Sequence, residues 1–316
     1  MPTSLNARCR PSGRPTGASG RTHQAPAALT SIEFMRFAKG HGTGNDFVVV
    51  PDFDDELELT PGLVAALCDR HFGVGGDGVL RVVRTRSGEP EWFMDYWNAD
   101  GSIAEMCGNG VRVFVRYLIE EGLARGPEVA VATRAGTRGV RVEPDRRFTV
   151  DMGGAVVLGD GRADAGGRLL TGLAISVGNP HLACMIDEPV GAVDLSAPRV
   201  VGPASLSGGA NIEIARLLGE HEIEMRVHER GSGLTLSCGT GAVAAAVAAA
   251  AAVGEWPAAP AWWTVHVPGG TLAVIPSVTA SLLSGPAEIV ARGELAADWA
   301  TPALTVGPGA ARPTGA

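Results

Sequence analysis

Lysine is almost missing from this 316-residue chain: of its 26 basic residues, only Lys39 is lysine. Pyridoxal phosphate chemistry needs a lysine for its Schiff base, so that route has one weak foothold, beside "GHGTGNDF", and the expected cofactor is none. Excess positive charge is missing as well. A formal net charge of −8 argues against a nucleic-acid surface. No apolar run is long, because the longest, Ala242 to Val253, falls short of the ~18 residues a bilayer span requires. It reads as a buried helix, and no membrane partner is expected. The five cysteines (Cys9, Cys68, Cys107, Cys184, Cys238) are an odd number without CxxC spacing, which speaks against a disulfide scaffold or a zinc ribbon. A reducing compartment, the cytoplasm, is the expected location.

What is present describes a soluble globular enzyme-sized chain, 45% hydrophobic and 19% charged, with 44 glycines that imply many tight turns. Residues 1–34 hold no acid before Glu33 and no hydrophobic periodicity, so they read as a disordered N-terminal tail. Residues 299–316 read as a flexible tail. Between the tails, strand-like runs dominate: "DFVVV", "GVLRVV", "EWFMDYW", "EVAVAT", "GVRVE" and "FTVDM". Helices are few. One is "TPGLVAALCDRHFG", with Thr60 as N-cap and Pro61 at the first helical position.

The second half of the chain replays the first. "GTGNDF" finds an echo in "VGNPHL", and "CGNG" in "CGTG", with Cys107 and Cys238 separated by 131 positions. After each cysteine an apolar helix runs to a glycine, Gly122 or Gly254. So long a repeat means duplicated domains, here residues 35–155 and 156–298. The expected fold class is α+β: two pseudo-symmetric domains, each a curved, mostly antiparallel sheet wrapped around a central helix. The site should lie between them, one thiol from each.

A cysteine at a helix N-cap meets free backbone N–H groups and the positive end of the helix dipole, which favour its thiolate. The glycines that follow leave room for an anion on those same N–H groups. Two such ends facing one another make a carboxylate pocket with a sulfur on either side of the α-carbon, suited to removing a proton from one face and delivering one to the other. Each thiol needs a partner for its proton. His181, after "VGNP", and Glu229, in "HERG", are the candidates.

Seven stretches spanning residues 36 to 292 carry a family resemblance: "FAKGHGTGNDFVVV", "DRHFGVGGDG", "MDYWNADGSIAEMCGNGVR", "SVGNPHL", "MRVHERGSGLTLSCGTGA", "VPGGTLAV" and "GPAEIV". The chain resembles the diaminopimelate epimerases, which interconvert LL- and meso-2,6-diaminopimelate without a cofactor. That resemblance implies Cys107 and Cys238 as the acid and base pair, with His181 and Glu229 as their partners. It implies Asn45, Asn98, Asn179, Asn211, Glu229 and Arg230 as substrate contacts, and Gly108 with Asn109 and Gly239 with Thr240 as the donors to the α-carboxylate. It further implies no metal and a homodimer. Two positions depart from the family pattern: Leu234 stands where many members carry Glu, and Gly78 where some carry Gln. Cys9, Cys68 and Cys184 read as small core residues, and His41 and Asp77 as loop and turn residues. Competing readings are a proline or hydroxyproline racemase, a thiol hydrolase using Cys107 with His181, and a structural metal held by Cys107, His181, Glu229 and Cys238.

Overall fold

The computed structural model describes residues 35–257, 261–296 and 299. The reading of residues 1–34 as a disordered tail lies outside the described residues, as do 300–316. Trp299, assigned to the flexible tail, packs on the body: its indole N–H donates to the Phe72 carbonyl at 2.9 Å.

Three α-helices form among the described residues: α1 (Pro61–Cys68), α2 (Gly108–Glu120) and α3 (Gly239–Ala252). Each starts where the side chains demand it. Thr60 accepts the Leu63 N–H at 3.2 Å ahead of α1, and Cys107 and Cys238 cap α2 and α3. Gly122 and Gly254, at φ +71° and +78°, reverse the chain just past the ends of α2 and α3, a left-handed conformation that glycine enters without steric cost. None of these helices is long and apolar enough to cross a membrane.

Apart from two single 3₁₀ turns, Val190–Ala192 and Ala204–Leu206, the remaining elements are strands, joined in one largely antiparallel sheet. The duplication is visible in its pairing. In the first half Asn45–Pro51 runs parallel to Gly78–Arg84, which is antiparallel to Trp92–Asn98, which is parallel to Glu128–Thr133. In the second half Pro180–Met185, Asn211–Gly219, Glu222–Glu229 and Trp263–Val267 repeat that sequence of directions. The fold is α+β, and each half wraps its sheet around one helix. Helix α2 packs on Arg36–Gly42, Asn45–Pro51 and Phe148–Gly153, and α3 on Pro180–Met185, Asn211–Gly219 and Gly270–Ile275.

The strand Glu288–Glu294 lies within residues 156–298, yet it pairs antiparallel with Arg36–Gly42. The end of the chain therefore completes the sheet of the first half, while Val156–Ala165 takes the matching place beside Arg168–Ser176. Strands pair through backbone groups common to all residues, so a single sequence carries little signal for which edge a terminal strand will join. The halves are stitched together by Phe148–Gly153 against Ser281–Gly285.

Residues Ala242–Ala250 of α3 are all buried, as an alanine and valine surface with no polar face requires. Helix α2 instead keeps a polar edge, where Arg116 pairs with Glu120 and Arg292 reaches Glu120 and Glu121. One continuous core holds both helices, including Phe47, Leu80, Phe114, Ile175, Val247 and Leu283.

Candidate active site

The N-terminal ends of α2 and α3 meet. A methyl group built on Gly239 would stand 3.5 Å from the Gly108 Cα and 3.0 Å from Leu283 Cδ2, and one built on Gly108 would strike Met152. A side chain at either glycine would crowd Met152 and Leu283, which pack over the junction of the two helix ends, and the two capping cysteines immediately precede those glycines. Cys107 (φ −136°, ψ 121°) accepts the Gly110 N–H at 3.4 Å, and Cys238 (φ −126°, ψ 122°) accepts the Gly241 N–H at 3.4 Å. Both are free thiols.

Around the first thiol, asparagines build the polar shell. The Cys107 thiol donates to Asn45 Oδ1 at 3.6 Å, and Asn109 Nδ2 donates to the same oxygen at 3.2 Å. Asn45 is held from behind by its Nδ2 donating to Asp77 Oδ2 at 2.8 Å, and Asp77 is paired with Arg70 at 2.7 Å. Lys39, the single lysine, forms an ion pair with Asp46 at 2.6 Å and donates to the Gly75 carbonyl. Beneath the first turn of α2 lies Arg112, fully buried. It donates to Asn109 Oδ1, the Gly108 carbonyl, Thr43 Oγ1 and the Pro286 carbonyl. No carboxylate pairs with it among the described residues, and burial pushes the guanidinium down to about 10.

Around the second thiol the polar groups are ionisable. Cys238 Sγ lies 3.5 Å from Thr240 Oγ1. Glu229, at the end of Glu222–Glu229, accepts from Thr235 Oγ1 at 2.5 Å. Burial raises the Glu229 carboxyl above its ordinary range, while hydrogen bonds from Thr235 and Cys238 draw it partly back. His181 is fully buried, with Nδ1 2.7 Å from Glu213 Oε1 and Nε2 2.9 Å from Asn179 Oδ1. Asn211, also buried, accepts the backbone N–H of Arg230 at 2.9 Å. The Arg230 guanidinium is exposed, donates to the Gly208 carbonyl, and borders a cavity of about 670 Å³ with Gly209, Ile212 and His228.

The thiol energetics depart from the sequence argument. Helix N-termini favour thiolate, and the N–H groups of Gly110 and Asn109 do pull Cys107 down, but burial dominates and leaves it at about 11. Cys238 is pushed well above its ordinary value by burial and by the Glu229 and Glu213 carboxylates. Desolvation of a charged sulfur outweighs a partial helix charge. Cys68 and Cys184 are buried core thiols raised by desolvation to about 12.

Four residues of this site escaped the sequence reading. Asp77 holds Asn45 rather than acting as a plain turn residue. Glu213 and Arg112 sit mid-strand and mid-helix, where nothing local marks a site. Tyr96 donates its hydroxyl to Asn98 Oδ1 at 2.9 Å, and Asn98 Nδ2 donates to Ser102. Tyr96 also explains one departure: a side chain at Gly78 would meet the Tyr96 ring at 2.8 Å and the Trp97 carbonyl at 2.5 Å. Leu234, the other departure, is exposed. Among the described residues no three of His, Cys, Asp and Glu stand close enough to share a metal ion, which removes the geometric basis of the four-ligand reading.

Comparison with known proteins agrees with this geometry. The diaminopimelate epimerase family model matches residues 37–158 and 173–290, one segment in each half. A diaminopimelate epimerase of Thermobifida fusca is 55% identical over 273 residues, covering 83% of this chain and 98% of that protein. One from Mycobacterium tuberculosis is 50% identical over 287 residues, covering 84% and 98%. In fold, the chain is similar to a hydroxyproline epimerase from Agrobacterium vitis (TM-score 0.57, 14% identity, 83% of this chain and 92% of that one). It is also similar to a phenazine biosynthesis protein of the PhzF family from Enterococcus faecalis (TM-score 0.59, 12% identity, 83% and 99%). With two abutting helix ends, a cysteine on each, and relatives this similar over nearly their whole length, the chain belongs to the diaminopimelate epimerase family.

Proposed function

We propose that this protein interconverts LL- and meso-2,6-diaminopimelate by a two-cysteine acid/base mechanism without a cofactor. This would place it in lysine and peptidoglycan precursor biosynthesis, as a cytoplasmic homodimer. The observation that carries the reading is the pair of cysteine-capped helices whose first glycines lie next to one another. An α-carboxylate at that junction meets free N–H groups of Gly108, Asn109, Gly239 and Thr240 from two helix ends. Charge developing on the carboxylate as the α-proton leaves is then stabilised by preorganised donors away from water.

In one direction a thiolate removes the α-proton and becomes a thiol, while the opposite thiol delivers its proton to the other face and becomes a thiolate. Atoms and charge balance, and the reverse reaction exchanges the roles. Burial favours the neutral thiol at both positions, so the starting thiolate forms when one sulfur passes its proton to a neighbouring base. Glu229, hydrogen-bonded to Cys238, and His181 are the candidate partners, and the incoming cationic α-ammonium stabilises the resulting charge. Asn45, Asn98, Asn179, Asn211 and Arg230 hold the rest of the substrate. Arg230, exposed and without an ion-pair partner among the described residues, suits a bidentate grip on the distal carboxylate.

Incubation with LL-diaminopimelate in deuterated water tests the reading. Solvent deuterium is expected at the α-carbon of the meso product. Label entering proline or hydroxyproline instead, with diaminopimelate untouched, would move the assignment to the racemase alternative.

A further inference from the structure

The two halves are superposable in pairing but not in charge. In the first half Phe47 lies opposite Gly78 in a parallel pair, and Leu80 follows two residues on; a methyl group at Gly110 would meet Leu80 at 3.2 Å and Phe47 at 3.6 Å. In the second half His181 lies opposite Asn211, and Glu213 follows two residues on; a methyl group at Gly241 would meet Glu213 Oε1 at 2.8 Å. The apolar pair Phe47 and Leu80 beneath the first turn of α2 thus corresponds to the ionisable pair His181 and Glu213 beneath the first turn of α3. Only one of two matching places carries a proton store.

The hydrogen bonds fix what that store contains. His181 Nε2 faces a carbonyl oxygen, Asn179 Oδ1, so this nitrogen carries a hydrogen. Nδ1 then shares a second proton with Glu213 Oε1 across 2.7 Å. Whether drawn as imidazolium with carboxylate or as imidazole with carboxylic acid, the pair is neutral overall and holds one proton between its members. Neutrality is what full burial selects: both side chains are inaccessible to solvent, and an isolated buried charge is costly. The second carboxylate oxygen, Glu213 Oε2, is buried without a hydrogen-bond partner. A carboxyl group this desolvated, with one oxygen unpaired, is retained at the expense of stability.

We propose that Glu213 is a positioning residue for epimerisation, holding the His181 ring with Nε2–H toward Asn179 and keeping one shared proton beside Cys238 that has no counterpart beside Cys107. The inference rests on the epimerase reading above. Glu213 touches no substrate in it; it acts through His181, and the consequence is that the two thiols differ in how readily they hold a proton. The titratable groups facing the pair are Glu229 from Glu222–Glu229, Cys238 ahead of α3, and Cys184 from the strand that carries His181. Any shift in pH dependence therefore belongs to this coupled set.

Two measurements test it on the full chain. The first needs no variant: ¹⁵N NMR of the His181 ring in the wild-type protein. Nε2 is expected to be protonated and Nδ1 to show a shared proton. A ring that carries its hydrogen on Nδ1 alone, or that shows no proton shared with Glu213, overturns the proposal. The second compares Glu213→Gln, which keeps size but loses the ionisable carboxyl, with Glu213→Asp, which keeps a carboxyl on a shorter arm. Glu213→Gln is expected to lower kcat on the order of 100-fold with KM unchanged, and to displace one limb of the kcat–pH profile. Glu213→Asp should restore that limb in part. A folded Glu213→Gln protein with wild-type kcat and pH profile overturns the proposal; so does a pure KM effect. If wild-type protein fails to turn over diaminopimelate, the epimerase reading falls instead, and the ring spectrum still decides the state of the pair.

Discussion

Cys107 and Cys238 share a backbone conformation to within about ten degrees, yet they face different chemistry: Asn45 and the buried Arg112 act on Cys107, Thr240 and Glu213 on Cys238, and Glu229 on both. Replacing either thiol removes one of two obligatory proton carriers. Cys107→Ala and Cys238→Ala are each expected to lower kcat on the order of 10²–10⁴-fold with little change in KM, measured by steady-state kinetics with LL-diaminopimelate. A hydrolase built on Cys107 and His181 would survive Cys238→Ala, so retention of activity in that variant would sink the two-thiol mechanism. Both cysteines and their capping role were legible in the sequence, because N-cap chemistry is local. Their raised pKa values were not, because desolvation depends on which distant segments cover the site.

At the scale of elements, α3 shows how a composition becomes a packing constraint. Its small side chains let strands from the surrounding sheet approach on all sides, and Ala246 is fully buried. Enlarging a residue in such a helix forces its neighbours off their rotamers. Ala246→Leu is expected to destabilise the protein by about 1–3 kcal/mol, read as a lowered urea midpoint with an unchanged slope. A midpoint at or above that of the wild type would mean the sheet leaves more room than its buried surface implies. The position of α3 and the burial of Ala242–Ala250 on every face followed from the run Ala242 to Val253, whose last two residues, Ala252 and Val253, are instead exposed. The identity of the strands around it did not, since alanine packs equally well against many surfaces.

For the whole molecule, acid stability is set partly by the cluster that backs Asn45. Burial opposes ionisation of Asp46, but hydrogen bonds from Arg70 and Lys39 hold its carboxyl well below its ordinary value of 3.8. A depressed folded-state pKa contributes stability that is present above the unfolded value and lost as pH falls below it. Asp46→Asn should therefore be less stable than wild type at neutral pH, and the difference should shrink as pH drops below about 4. Thermal melts from pH 7 to pH 3 measure this, and parallel Tm curves for the two proteins would refute it.

The sequence by itself determined the repeat of the cysteine-glycine motif, the two helix starts with their cysteines and glycines, and six strands of the first half, because periodicity, capping and turn formation act over a few residues. Only the tertiary structure decided that the last strand returns to the first half, that Asp77 orients Asn45, that Tyr96 fills the space beside Gly78, and that His181 shares its proton with Glu213. Those outcomes depend on backbone pairing and burial between segments far apart in the chain, where the energy belongs to the contact and not to either residue alone.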